Sequence, residues 1–533
     1  MAKSDNVEKK KLSIDHAIFW PPLIIIGLVC AFIIRDPDKA NEISGTALNW
    51  VTNHLGWAFE WYVIIMFCIC LYFVFGKLKD KRLGDGDPEF STFSWIGMMF
   101  TSTSSAALIY WAAIEWFYYM QAPPHGAKPF STEAAMWGSA YGMYHWGLIP
   151  VAMYVVVGVA LGYNFFVKKR DVIRPSSVCG VLGKRKDGWI GKVIDVLYII
   201  GMVAGTGTSL GLGTPLVAEL ISKIFGIEHT LSLDGGILIA WICLFVLTLY
   251  FGLQKGLKVL SDIRVWLAFG VILFVLVFGP TSFILNGFTD AVGMMLQNLI
   301  SMTFYTDTFG QSGWPQGWTI FYWAWFLNCV VSYAIYLVKI SKGRTIRQFA
   351  LGVLGSITIG EMVFFGIFTP YSMNVYYKGL IDIPAIFEKV GAPGTIVEIW
   401  STLPLASVVL PVLLIYCFIS TGTFINGVAY SLSMVTTKNI TENDEPSRAN
   451  RIAWALILGL LAISLLLLGG LQPLQTSSVI GGLPMMIVCI IIPISFFREI
   501  KKDGIWTIER DLKMYAAANI NKKKTAPEQL KTE

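Results

Sequence analysis

Long apolar runs separated by short polar segments recur from one end of this chain to the other. Crossing about 30 Å of hydrocarbon as helix takes about 20 residues. Twelve runs meet that length, at about 17–34, 57–76, 93–119, 135–166, 190–222, 234–254, 259–286, 319–340, 347–369, 403–428, 452–470 and 478–497. Helices are the reading that fits, because backbone in lipid must satisfy its own hydrogen bonds. The short alternating segments of an outer-membrane barrel are absent. The pattern predicts an all-α polytopic membrane protein with twelve transmembrane helices. A basic tail covers 1–16, one transmembrane domain 17–497, and a second tail 498–533. Between spans, DAVGMMLQNLISMTF in segment 287–318 has Met and Leu at helical spacing and predicts an interfacial helix. The segment 371–400 holds a helical patch, IPAIFEKVG, suited to a lid. GIWTIERDLKMYAAANI in the C-terminal tail predicts a short surface helix.

Composition agrees: 55% of the 533 residues are hydrophobic and 14% charged, with mean hydropathy +0.61. Soluble chains carry about 25% charged residues. The first run is too long for a signal peptide and no small-residue cleavage site follows it, so it reads as retained. Of the eight cysteines (Cys30, Cys68, Cys70, Cys179, Cys243, Cys329, Cys417, Cys489), seven lie in apolar runs and none forms a secreted disulfide framework. No His/Cys cluster suggests a metal, and no cofactor fingerprint is present.

Charge sets the expected orientation. Thirty-four of the 41 Lys and Arg fall on the side of the two termini, six fall on the other, and Arg264 lies near or within a span. This asymmetry puts both termini in the cytoplasm. The net charge of +6 is therefore a topology signal and not a sign of nucleic-acid binding. The run Lys522–Lys524 reads as a solvated or lipid-headgroup contact. The sequon Asn439-Ile-Thr441 falls in an expected cytoplasmic loop and reads as chance.

Two spans depart from plain apolar helix. FTSTSSAALIYW (100–111) has a run of hydroxyl residues that compete for helix hydrogen bonds, which predicts local unwinding. GMVAGTGTSLGLGTP (201–215) has five glycines, with Gly207 and Gly211 spaced for close helix approach. Interrupted helices near the midplane point to a transporter's binding site.

GWTIFYWAWF (317–326) concentrates rings. On a helical wheel Trp318, Tyr322, Trp325 and Phe326 share one face with Cys329 and Tyr333, while Trp323 points elsewhere. Interfacial Trp and Tyr are common, which accounts for Trp318 better than for the deeper Trp325. A ring-lined face away from the headgroups suits a quaternary ammonium, which donates no ordinary hydrogen bond and is stabilised by ring faces. Trp146, Tyr154 and Tyr118 offer further rings. His145 reads as a packing or hydrogen-bonding residue. Ionisable residues within spans are functional candidates. Arg264 is the foremost, either functional or snorkelling to the interface. Glu115 and Glu361 have no partner that the sequence assigns.

The motifs GWAFEWY (56–62), PEFSTFSW (88–95), FTSTSSAALIYWAAIEWFYY (100–119), YHWG (144–147), VIRPSS (172–177), GTSLGLGTPLV (207–217), GLQKG (252–256), PQGWTIFYWAW (315–325) and ISKGRT (340–345) run almost the length of the chain. With them the chain resembles the betaine/choline/carnitine transporter family, and most closely its carnitine/γ-butyrobetaine antiporters. The resemblance implies two prefix helices and two inverted five-helix repeats of the LeuT type, spans 3–7 and 8–12. It also implies a homotrimer and alternating access in a bacterial plasma membrane. Carried over, Tyr118, Trp146 and Trp325 form the central box, with Phe326 where the antiporters have tryptophan. Trp318 matches the tryptophan of an outer site. Arg264 matches an arginine that stands in for a coupling sodium ion, a sensible exchange of fixed for mobile charge. Ser420 and Thr421 keep hydroxyls that sodium-coupled relatives use as ligands, and the arginine could bond to them instead. Cys329, Ser332 and Tyr333 stand where the antiporters have tyrosine, glutamine and methionine. Ala107 stands where choline carriers are expected to have an acid, which favours a zwitterionic betaine over choline.

Three functions follow. The first is sodium-independent exchange of a betaine-type substrate for its product. The second is sodium-coupled uptake of an osmolyte. The third, a membrane enzyme on the same substrates, lacks a nucleophile–base motif, metal cluster or cofactor fingerprint.

Overall fold

The computed structural model describes residues 12–102, 105–171, 173–250, 254–441 and 444–504. Lys3, Lys9–Lys11, Thr103, Ser104 and the tail helix expected after Gly504 lie outside the described residues.

The chain is helical almost throughout. The first helices are α1 (His16–Arg35), α2 (Pro37–Phe75), α3 (Thr92–Ser102), α4 (Ala106–Gln121), α5 (Thr132–Trp146) and α6 (Leu148–Gly162). They are followed by α7 (Trp189–Phe225), α8 (Leu231–Tyr250), α9 (Gln254–Phe278), α10 (Thr281–Thr303), α11 (Trp314–Gly317) and α12 (Thr319–Lys339). The last are α13 (Ile346–Tyr377), α14 (Ile383–Ser401), α15 (Ala406–Val435), α16 (Arg448–Leu468) and α17 (Gln472–Asp503). Among the described residues nine helices are long and apolar enough to span a bilayer, and the bent pair of Asp262–Phe278 with Thr281–Thr303 makes a tenth. Of the twelve expected runs, the third is divided between α3 and α4, and the sixth is α8.

Several boundaries differ from the apolar pattern for local reasons. The second run was expected to start near residue 57, but α2 begins at Pro37, where the Asp36 carboxylate accepts the Lys39 N–H at 3.1 Å. At 39 residues and 1.5 Å per residue α2 is almost 60 Å long. Its polar half still buries Leu48 and Val51 on one face. The fourth run divides at Gly147 into α5 and α6. Pro150 lacks the N–H that would bond back to Trp146, so the helix is easily broken there. The seventh run ends at Gly279-Pro280, where the chain bends by 109° into α10, the expected interfacial helix. The lid segment is α14, kinked at Gly391, whose φ of +67° favours glycine.

The expected unwinding is present in the third run: Ser105, just before α4, is extended, with φ −137° and ψ 157°, and its hydroxyl caps the Leu108 N–H at 3.1 Å. The glycine-rich α7 is continuous, and its glycines act in packing. A Cβ on Gly205 would lie 2.7 Å from the Asn328 Cβ of α12, and one on Gly211 would lie 2.3 Å from Leu474 of α17. These glycines let α7 sit directly against both helices.

The basic segments meet on one face. Ser13–Ile14 pairs antiparallel with Thr437–Lys438. Arg174 bridges to Asp15 at 3.1 Å and donates to the Thr437 carbonyl at 2.9 Å. Arg170 pairs with Glu499, and Lys168 with Asp503. The grouping agrees with the sides that charge assigned to these segments.

On the opposite face the turn between α7 and α8 holds His229 between two carboxylates. Its Nδ1 lies 2.8 Å from Glu219 and its Nε2 3.1 Å from Asp234. The hydrogen bonds to Asp234 and then Glu219 raise its pKa to about 9 against partial burial. A raised folded-state value stabilises the fold fully below the unfolded value of about 6.5, and that stabilisation is lost as pH rises through about 9. Thermal unfolding in detergent should therefore show wild type above His229→Gln below about pH 6.5, with the difference vanishing above pH 9. A pH-independent difference would refute this assignment.

Candidate functional site

A cavity of about 150 Å³ lies where the α3/α4 break meets α5, α6, α7, α12 and α15. Trp146, Tyr154, Trp325, Phe326 and Phe424 supply rings, and Ser105, Ser209, Ser420 and Thr421 supply hydroxyls; Ala106, Ala107 and Cys329 complete the lining. None of these residues is charged. Trp146 stands edge to face with Trp325 at 5.7 Å and with Phe326 at 5.8 Å, and Tyr154 lies tilted 5.9 Å from Phe326. The Trp325 indole donates to the Gly205 carbonyl of α7 at 3.1 Å. The close approach of α7 and α12 therefore also fixes the orientation of this ring.

Behind the rings lies a polar network centred on Glu115 of α4, which is fully buried. Its carboxylate accepts from the Tyr119 hydroxyl at 2.6 Å, the Tyr322 hydroxyl at 2.7 Å and the Trp146 indole at 3.2 Å. His145 lies 3.0 Å from the Tyr119 hydroxyl through Nδ1 and 3.1 Å from the Thr319 hydroxyl through Nε2. Tyr119 gives its proton to Glu115, so the network assigns a donating Nδ1–H and an accepting Nε2 to His145. Buried polar groups joined in this way specify one arrangement of the rings attached to them.

Of the residues singled out from sequence, Trp146, Trp325, Phe326, Cys329, Ser420 and Thr421 come together at the cavity. Tyr322 lies behind it, against Trp146 and Trp325 at 5.8 and 6.2 Å. Tyr333 packs against Tyr154 at 4.7 Å and bonds to Ser102 at the end of α3. Tyr118, expected in the central box, lies elsewhere. It contacts Trp318 at 5.3 Å and Phe387 of α14 at 5.2 Å, forming a second ring cluster on the face opposite the basic loops. Tyr118 falls three residues past Glu115, near the end of α4, which carries it away from the break. Arg264 does not line the cavity. Its Nε is buried without a hydrogen-bond partner among the described residues, and its guanidinium lies within electrostatic reach of Tyr333 and Tyr336. The Ser420 hydroxyl accepts from the Ala106 N–H at 3.1 Å rather than from the arginine.

Sequence reasoning missed Ser209 and Phe424 in the lining, and the role of Glu115. Ser209 sits inside the glycine-rich stretch, whose small side chains leave it facing space. An acid directly before the ring-rich run Trp116–Tyr119 was the available signal for Glu115.

A helical membrane protein with an interrupted span and a buried cavity of rings and hydroxyls is built as a carrier of a small solute. Residues 17–505 match the model of BCCT, the betaine/carnitine/choline family transporters, and the chain belongs to that family. Its members are secondary transporters of quaternary ammonium compounds and integral membrane proteins.

Glu115→Ala strands three buried donors, each worth about 1–3 kcal/mol. Affinity for a quaternary ammonium substrate, by tryptophan fluorescence, should fall at least about tenfold, whereas Glu115→Gln, which keeps one acceptor, should lose less. Equal affinity in all three proteins would show that the network does not position the box.

Proposed function

We propose that this protein exchanges a betaine-type zwitterion for its metabolic product across a bacterial plasma membrane, without sodium. On this reading it works by alternating access between two inverted five-helix repeats, as a homotrimer with both termini cytoplasmic. The observation that carries the reading is the uncharged cavity with rings on one part of its wall and hydroxyls on another. A trimethylammonium group, unable to donate, sits against the faces of Trp146, Trp325 and Phe326, each worth about 0.5–2 kcal/mol. The carboxylate end faces the hydroxyls. Ser105 and Ser420 already accept backbone N–H groups, so their own protons are free to be donated. The N-terminus of α4 adds a favourable dipole. A cavity with no acid suits a molecule without net charge better than a pure cation such as choline. Which betaine it takes is written in Cys329, Ser332 and Tyr333.

Arg264 supports sodium independence. A fixed positive charge on α9, which packs along the Ser420–Thr421 helix α15, disfavours a mobile cation beside it. The second reading is sodium-coupled osmolyte uptake. It is favoured by the Ser420 and Thr421 hydroxyls, which line the cavity and so remain available as oxygen ligands. Counterflow of labelled betaines into proteoliposomes separates the two. Exchange should proceed at equal rates with and without sodium, and strict sodium dependence would replace the first reading by the second.

Trp325→Ala should weaken betaine binding by about 3 kcal/mol, roughly a hundredfold, through combined loss of packing and cation–π contact. Unchanged affinity would place the box elsewhere. Arg264→Ala should slow exchange, with added sodium restoring part of the rate. A variant as fast as wild type in sodium-free buffer would remove Arg264 from the mechanism.

A further inference from the structure

The motifs at 88–95 and 340–345 line no part of the cavity, yet they fasten the start of α3. The Trp95 indole donates to the Ser341 hydroxyl at 2.9 Å. The Arg344 guanidinium lies 4.6 Å from the Trp95 ring centroid and donates to the Phe90 carbonyl at 2.7 Å and the Thr92 hydroxyl at 3.0 Å. Gly352 of α13 makes room for that ring, because a Cβ there would lie 2.1 Å from it. The Leu83 N–H donates to the Arg344 carbonyl at 2.8 Å, and a Cβ on Gly84 would lie 2.9 Å from Phe166, two residues before Lys168. The base of α3 thus belongs to the face where the basic segments meet.

The other end of α3 is held by a lighter tie. The Ser102 hydroxyl donates to the Met99 carbonyl of its own helix at 2.6 Å, so its oxygen is left to accept the Tyr333 hydroxyl of α12. Tyr333 lies one turn past Cys329 toward Lys339, and its ring packs on Tyr154 at 4.7 Å. Cys329 and Tyr154 line the cavity, whereas Tyr333 and Ser102 do not. The pair therefore stands beneath the cavity wall, on the side of the basic face, where α3, α6 and α12 meet. One turn further on, the Tyr336 hydroxyl reaches the Met98 carbonyl only at 3.5 Å, a weak contact.

We propose that the hydrogen bond from Tyr333 to Ser102 is a latch that shuts the central cavity toward the basic face, which makes both positioning residues for transport. The proposal rests on the central cavity being the transport site. A bond between two neutral hydroxyls exchanges for bonds to water at small net cost, as a contact made and broken in every cycle requires. Its parting frees α3 beside the α3/α4 break and leaves the ties at Trp95 and Arg344 in place.

The test uses the Cys329 thiol as a reporter in the full-length protein, in sealed vesicles of known orientation. The probe is a membrane-impermeant methanethiosulfonate that carries a trimethylammonium group; its sulfinate leaves as the mixed disulfide with Cys329 forms. Mass spectrometry separates this thiol from the exposed Cys68 and Cys243. Tyr333→Phe and Ser102→Ala should each raise the labelling rate at least about threefold from the side of the basic segments, the scale of one such hydrogen bond. The rate from the other side should not change. The double variant should label no faster than either single one, because all three lose the same bond. Ser102→Ala should keep its affinity for glycine betaine while labelling rises, a split that a general loosening of the fold would not give. Labelling unchanged in both single variants, raised alike from both sides, or multiplied in the double variant overturns the proposal. So does affinity lost in Ser102→Ala. Full betaine affinity in Trp325→Ala would instead overturn the central-box reading, with the labelling result unaffected.

Discussion

The ring-lined cavity depends on one buried carboxylate. Glu115 is held in a fully buried position by donors from α4, α5 and α12, and those three helices set the geometry of the rings. In hydrocarbon a polar group without a partner is severely disfavoured, so the three donors and their acceptor constrain one another. Trp146 is fixed at the point where its helix breaks, because its indole is tied to Glu115 while Gly147 and Pro150 release the backbone behind it. Trp325 is fixed from the other side by the Gly205 carbonyl. Both indoles of the cavity wall thus have their polar edges anchored outside the cavity.

Breaks and continuities in the helices follow the same logic. The α3/α4 interruption places backbone and hydroxyl groups at the cavity, where irregular chain is tolerated in a membrane because it lines a site. In α7 the glycines leave the helix intact and remove side-chain bulk. Without them α7 could not approach Asn328 closely enough for its carbonyl to receive the Trp325 indole. One span gives up helical hydrogen bonds to make a site, and its neighbour gives up side chains to support it.

Much of this was legible in the chain. Hydrophobic run length alone located nearly all the membrane helices, and the hydroxyl run at 101–105 announced the interruption. The wheel at 318–333 correctly grouped Trp325, Phe326 and Cys329, because side chains on one helical face must point the same way. What it could not resolve is depth along that face. Trp318 shares the face but lies two turns from the cavity, beside Tyr118, and the wheel projects that distance away. The extension of α2 back to Pro37 was hidden because polar residues there alternate with buried Leu48 and Val51, so mean hydropathy falls while helical periodicity persists. Glu115 was visible as an intramembrane acid, but its donors come from three helices and only the fold assembles them.

The contacts among Tyr118, Trp318 and Phe387 join α4, α14 and the residue that precedes α12. Ring pairs of this kind contribute about 0.5–1.5 kcal/mol each beyond the area they bury. Phe387 rides on α14, N-terminal to the kink at Gly391, so its departure requires rotation of a short helical arm rather than of a whole span. The ring cluster on that face can therefore part by movement of one arm of α14, whereas the rings tied to Glu115 cannot part without stranding buried donors.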